Sequence, residues 1–371
     1  MSASLARRDL LRFRMHAQLL AGEQAASPGD VLERMLALQG QDLASVLWAV
    51  GTRLRAEQAT EGAVLGAMAS GQLVRGWPMR GTLHLLPARE LGWILSLTSA
   101  KLTTGLDKRW DQLGLDREQV ERGRTVLHDA LAGGGALTRA QAQEHLAAAG
   151  LDPTGGRGYH LIWFASQTGL VCWGPPGTGE QLLVLNEEWI REPRALGREE
   201  ALAELLVRYV RGHGPATMRD FLHWTKLTAG EGREALALAG DRLERAQLEG
   251  TRGVAGLVLI EPSVLPEPGE PPTTVHALPG FDEYYLGFRD KSPVIRREHE
   301  QAVVPGSNGI FQPILVSRGK VIGTWGRTTR KGALVPEWRP FGELSSPQAA
   351  GAERAFARYA RFRELPVAPP A

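Results

Sequence analysis

Gly135-Ala136-Leu137-Thr138-Arg139-Ala140-Gln141-Ala142 and Gly214-Pro215-Ala216-Thr217-Met218-Arg219-Asp220 follow one pattern. Each places a glycine before two small or apolar residues, then a threonine, then a run with helical character. The physical reading is a short extended segment followed by a helix. The threonine hydroxyl caps that helix by accepting from one of its first unpaired N–H groups. A repeated motif of this kind signals repeated supersecondary units.

The surroundings of each copy agree. Before the first, Asp116 to Leu131 reads as a helix. After it come a helix at Tyr159–Gly169 and two β runs, Leu170–Trp173 and Gln181–Leu185, joined by Gly174-Pro175-Pro176-Gly177. Around the second copy lie helical patterns at Glu199–Arg211 and Ala229–Leu238, with β structure starting at Leu243–Leu248. Helix, short strand, helix, helix, hairpin is the order of a winged helix. The N-terminal part gives a similar order: a helix at Ala3–Ala21, a helix start at Ser27-Pro28-Gly29-Asp30 leading into Val31–Leu38, an apolar run Leu43–Leu54, and a hairpin in Gly71–Leu86. The last third is richer in strand, at Val254–Ile260, Val275–Leu278, Ile310–Val316, Lys320–Trp325 and Ala333–Val335. It closes with a helix at Pro347–Phe362. The expected fold is therefore α+β and mainly helical. It holds three tandem winged helix-turn-helix units, at 1–115, 116–197 and 198–275, and a β-rich C-terminal part at 276–371 with a basic hairpin.

Composition sets outer limits. The 371 residues are 43% hydrophobic, which suits packed cores and excludes a disordered chain. Lys and Arg number 43 against 41 Asp and Glu, so net charge neither demands nor excludes nucleic acid. The single cysteine, Cys172, rules out an intrachain disulfide and a Cys-based zinc site, and fits a reducing compartment. The nine histidines show no ligand spacing. Neither a Gly-rich phosphate loop nor a Gly-x-Ser-x-Gly elbow occurs, and no apolar run is long enough to span a membrane. No metal, cofactor or membrane is expected.

Charge is distributed unevenly. From Gln301 to Pro336 there are five basic residues, Arg318, Lys320, Arg327, Arg330 and Lys331, and no acid. Such a hairpin suits contact with phosphates, and equally a solvated surface. A second, diluted cluster includes Arg75, Arg80 and Arg89.

Three segments carry candidate chemistry. Gln39-Gly40-Gln41-Asp42 closes one apolar run and precedes another; on composition it reads first as a helix end broken at Gly40. His84, in the apolar run Thr82–Leu86, reads first as a core-edge histidine. In Leu278–Tyr285, Asp282 and Glu283 stand beside three aromatics. That segment suits either proton transfer or a helix start capped by Asp282 with the aromatics packed inward.

Taken in order, Leu38-Gln39-Gly40-Gln41, Trp77-Pro78-Met79-Arg80-Gly81-Thr82-Leu83-His84-Leu85, Leu278–Tyr284, Gly309–Pro313 and Gly319–Trp325 resemble the AlkZ/YcaQ family of winged-helix DNA glycosylases, over about residues 5–365. The resemblance implies three tandem winged helices in a C-shaped arrangement. It also implies a Gln-x-Gln catalytic motif at Gln39 and Gln41, with Gly40 departing from the larger apolar residue common at the middle position. Asp42, Arg80 and His84 would then belong to the catalytic or lesion pocket, and Arg318, Lys320, Arg327, Arg330 and Lys331 would contact DNA. The implied substrate is double-stranded DNA with bulky N-alkylated purines or interstrand crosslinks. The implied setting is a bacterial cytoplasm, as a nucleoid-associated monomer with no obligate protein partner, in self-resistance to an alkylating natural product. Three rival readings remain at this point: a non-enzymatic winged-helix regulator, a crosslink-unhooking glycosylase of broad range rather than a dedicated resistance enzyme, and a small-molecule hydrolase built on Asp282 and Glu283.

Overall fold

The computed structural model describes residues 3–251, 253–307 and 309–366. About 48% of the chain is helical and 19% strand, so the fold is α+β with helix predominant. The chain divides into two compact units. One is continuous, Leu65–Ala201, and the other joins Met1–Val64 with Leu202–Ala371.

In the continuous unit, strands pair in the order Thr82–Pro87, Leu73–Met79, Val171–Pro176, Gln181–Leu185, all antiparallel. Helices Arg117–Leu131, Arg139–Ala148 and Arg157–Gln167 precede the second hairpin. Leu137 forms a single bridge with Leu183, and Thr138 caps the next helix in a reciprocal box with Gln141. Trp77, Leu127, Leu131, Leu146, Leu161 and Leu183 are among the side chains that fill the core of this unit.

In the discontinuous unit, Ala216–Thr217 pairs with Leu257–Ile260, and Thr217 caps Met218–Thr225 in a box with Asp220. The two matching sequence segments thus form the same local structure. The order helix, short strand, helix, helix, hairpin also occurs a third time along the chain: Pro28–Met35, Leu38–Gln39, Leu43–Gly51, Glu61–Ala69, then Leu73–Met79 and Thr82–Pro87. A second sheet, with order Val275–Leu278, Ile314–Ser317, Lys320–Arg330, Ala333–Pro340, is antiparallel throughout and packs against the helix Ser346–Phe362.

Several expectations are corrected. The N-terminal segment is not helical from its start: Ala3–Leu5 is a strand that pairs in parallel with Glu244–Leu248, and the helix runs Arg7–Ala17. The helix starting at Pro28 ends at Met35 rather than running to Leu38. Leu36 takes a left-handed φ of 62°, which a helix interior does not allow. Gly40 therefore does not break that helix, because Leu38–Gln39 is already a strand. Strand begins at Ile314 rather than Ile310, and at Leu257 rather than Val254, where Gly253–Gly256 forms a 3₁₀ turn.

Helix Leu43–Gly51 carries no charged side chain and is buried from Ser45 onward, as a helix in a protein interior needs to be. Its Trp48 indole donates to the Ala277 carbonyl at 2.7 Å and meets the Tyr359 ring edge-on, 5.1 Å between centroids. At Gly51 a β-carbon would lie 2.4 Å from the Phe362 ring, so glycine is required by close approach. The helix that follows the glutamine motif is thereby fixed to the C-terminal sheet and the closing helix.

Candidate active site

Gln39 ends its two-residue strand half-buried, Gly40 is buried, and Gln41 and Asp42 are exposed. Both ends of this loop are tied down. At one end the Gln39 backbone N–H donates to Glu283 Oε1 at 3.2 Å. At the other, Asp42 caps helix Leu43–Gly51, its Oδ2 accepting from Ser45 N at 2.8 Å.

Glu283 is fully buried. Its Oε2 accepts from the Trp224 indole at 3.0 Å and lies 3.2 Å from His213 Nε2. His213 Nδ1 lies 3.0 Å from the Tyr209 carbonyl, and the two rings stack 4.5 Å apart. Both ring nitrogens of His213 therefore face oxygen atoms, the Tyr209 carbonyl on one side and Glu283 Oε2 on the other. A carboxylate without water is costly unless it is fully hydrogen-bonded, and Glu283 meets that condition by holding the motif strand.

Next to it, Asp282 accepts from both terminal nitrogens of Arg53, at 2.8 and 2.9 Å, with both side chains fully buried. Asp282 also caps the short helix Glu283–Leu286, accepting from Tyr284 N at 2.9 Å, and Tyr284 and Tyr285 point into the core. The capped-helix reading of this segment is the one the structure adopts. Neither carboxylate faces solvent as a small-molecule hydrolase would need.

Arg80 and His84 lie in the unit Leu65–Ala201 and are brought together there. Arg80 and Gly81, at φ of 58° and 66°, form the two-residue turn between Met79 and Thr82. His84 is buried in its strand, as expected. Its Nδ1 lies 2.8 Å from the Thr82 carbonyl and its Nε2 lies 2.8 Å from Arg80 Nη2. The carbonyl needs the proton on Nδ1 and the guanidinium needs the lone pair on Nε2, so this pairing selects the neutral Nδ1–H tautomer. His84 here orients Arg80 at the hairpin tip.

The five basic residues do not form one patch. Arg318 occupies a tight turn with Gly319, whose carbonyl accepts from Tyr284 Oη at 2.7 Å, and Lys320 Nζ donates to the Pro293 carbonyl at 2.5 Å. The strand Lys320–Arg330 then runs about 33 Å at roughly 3.3 Å per residue. Arg327 is half-buried along it and lies over the rings of Trp325 and Tyr359, at 5.7 and 5.1 Å. Arg330 and Lys331 are exposed at the far turn, where Lys331 and Gly332 both have positive φ.

The model of the AlkZ-like DNA glycosylase family matches residues 32–362. The chain belongs to this family of DNA glycosylases. AlkZ-like enzymes include a curated Streptomyces sahachiroi relative named interstrand DNA cross-link repair glycosylase. It is 28% identical over 342 residues, covering 86% of this chain and 87% of the relative. The solved structure of S. sahachiroi DNA glycosylase AlkZ superposes with a TM-score of 0.82 at 25% identity, covering all of both chains. This AlkZ-like protein is thus an enzyme acting on DNA, which removes the regulator and small-molecule hydrolase readings. Among its described residues no helix is long and apolar enough to cross a membrane.

Sequence reasoning singled out Gln39 and Gln41 but did not identify the contacts that anchor the strand before them. The available signal was the pair Asp282-Glu283 set among Phe281, Tyr284 and Tyr285: carboxylates in an apolar segment require buried partners. The partners themselves, Arg53, His213 and Trp224, are remote in sequence.

Proposed function

We propose that this DNA glycosylase hydrolyses, as a monofunctional enzyme, the N-glycosidic bond of bulky N-alkylated purines, N7-alkylguanine or N3-alkyladenine. It also unhooks interstrand crosslinks, in self-resistance to a DNA-alkylating natural product, working as a monomer on nucleoid DNA in the cytoplasm. The observation that carries this reading is the Gln39-Gly40-Gln41 loop, tied at Gln39 N to Glu283 and at Asp42 to the next helix. The relative from S. sahachiroi, an interstrand DNA cross-link repair glycosylase, supports the crosslink part.

Alkylation at N7 or N3 places positive charge on the base and weakens the bond to the sugar. Little acid catalysis at the base is then needed. What remains is to stabilise an oxocarbenium-like sugar and aim a water at it. Amide oxygens of Gln39 and Gln41 can accept from that water and face the cation. Asp42, with one carboxylate oxygen engaged in its cap, adds negative charge to the same loop. Arg80 and His84 act at the lesion. The test is incubation with duplex DNA carrying a bulky N7-alkylguanine, followed by detection of the free adduct and an alkali-labile abasic site. Absence of release from both this duplex and a crosslinked one overturns the proposal.

Glu283 acts through Gln39 as a positioning residue. Glu283→Gln turns one acceptor oxygen into an NH₂ facing other donors. We expect single-turnover excision to fall about tenfold or more with affinity for lesion DNA unchanged, from loss of orientation alone. An unchanged rate at saturating enzyme removes Glu283 from this role.

Of the basic residues, Arg330 and Lys331 are suited to grip phosphates, because they are exposed at a turn tip. Arg330→Ala with Lys331→Ala should reduce the slope of log affinity against log salt by about 2, at roughly 0.9 per phosphate contact. An unchanged slope places the phosphate contacts elsewhere.

A further inference from the structure

A cavity of about 550 Å³ lies between the strand Val275–Leu278 and the helix Ser346–Phe362, away from the glutamine loop in sequence; of its lining, only Arg318 and the bonded pair Trp48 and Ala277 have been given a role above. That volume is within the range of sites that enclose small ligands. Four arginines line it: Arg318 from the Ser317–Lys320 turn, and Arg354, Arg358 and Arg361 from the closing helix. The helical three are spaced four and three apart, so they share one face. No Asp or Glu is in the lining.

Like charges gathered without a counter-charge repel one another, and that arrangement is unfavourable until an anion enters. Burial and then the neighbouring Arg361 lower the pKa of Arg358. Arg358 is held in place by the Leu54 carbonyl at 2.5 Å, while its buried Nε has no hydrogen-bond partner among the described residues. Arg354 and Arg361 are exposed and make no ion pair among the described residues. His276, also in the lining and 5% exposed, has a buried Nε2 without a partner among the described residues. Burial, then Arg358 and Arg53, hold its pKa at about 4, so it adds no charge at neutral pH. The cavity therefore combines four arginines, two buried nitrogens without a partner among the described residues, and no acid.

We propose that this cavity is a phosphate-binding site, with Arg354 and Arg361 as the mobile cations that close on the phosphate and Arg358 as the fixed one. Guanidinium forks match the paired oxygens of a phosphate group, which favours this anion over a monovalent ion. The phosphate comes either from a DNA strand or from a free phosphate compound, and one pair of measurements separates these sources. The full-length Arg354→Ala/Arg361→Ala variant is compared with wild type after circular dichroism shows equal folding. Arg358 is left intact because it also supports the fold.

The first measurement titrates inorganic pyrophosphate by calorimetry. The second follows affinity for undamaged duplex against salt concentration. If the source is DNA, the salt slope falls by about 2 in the double variant, at roughly 0.9 per contact. If the source is a free phosphate compound, pyrophosphate binds wild type, its binding is lost in the variant, and the DNA slope is unchanged. If wild type binds no pyrophosphate and the slope is the same in both proteins, the proposal is overturned. Arg354→Lys/Arg361→Lys serves as the second variant: retained charge restores the salt slope but not the forked recognition of pyrophosphate.

Discussion

Gln39→Ala and Gln41→Ala each lower single-turnover release of an N7-alkylguanine by about 10²-fold or more, the scale on which removal of one preorganised polar group acts. The double variant gives no release above the uncatalysed rate. Folding is retained in both cases for a reason visible in the structure. The contact that ties Gln39 to Glu283 uses the backbone N–H, which alanine keeps, and Gln41 is exposed in the loop. Affinity for lesion DNA and the unfolding midpoint therefore stay close to wild type while the rate collapses. A double variant that excises as fast as wild type would show that the amides take no part in the chemistry.

Asp282→Asn acts on stability rather than on chemistry. The exchange keeps the shape of the side chain and removes its charge, leaving the Arg53 guanidinium buried at 0% exposure without a counter-ion. Removing one partner of a buried pair costs about 3–5 kcal/mol. That is a large share of the roughly 5–15 kcal/mol that holds a typical domain folded. The urea midpoint should fall accordingly, and Arg53→Met should fall by a similar amount. The combined variant, Arg53→Met with Asp282→Leu, should recover much of the loss, because both charges are gone and the desolvation cost goes with them. Single variants within about 1 kcal/mol of wild type would mean that water reaches this pair.

The fold was readable wherever structure is set locally. Thr138 and Thr217 announced their helices through capping, which needs only neighbours in sequence, and both boxes formed. In the N-terminal part, whose order of elements was read as similar, the segment Leu38–Gln39 before the Asp42-capped helix was instead read as a helix end. Its cap is an acid rather than a threonine, and two loop residues separate strand from cap. Ala3–Leu5 was misread because its strand character comes from a parallel partner, Glu244–Leu248, which no local pattern encodes. The same limit applies to the site. Gln39 and Gln41 stood out through resemblance to a family, whereas Glu283, His213 and Trp224 act through contacts that periodicity does not report. The basic residues looked like one patch because they are close in sequence. An extended strand of eleven residues is the reason they are not, since it carries its two ends far apart.

The bond between Gln39 N and Glu283 joins residues 244 positions apart. During synthesis at about 5–20 residues per second, Gln39 therefore leaves the ribosome roughly 12–50 seconds before the carboxylate that orients it exists. The continuous stretch Leu65–Ala201 is made in that interval and has all of its own strand partners in hand. The glutamine loop has to wait. A nascent chain that stops short of Glu283 then carries the Gln39-Gly40-Gln41 loop without its support, so the chemistry proposed for that loop has to await the synthesis of a residue far along the chain.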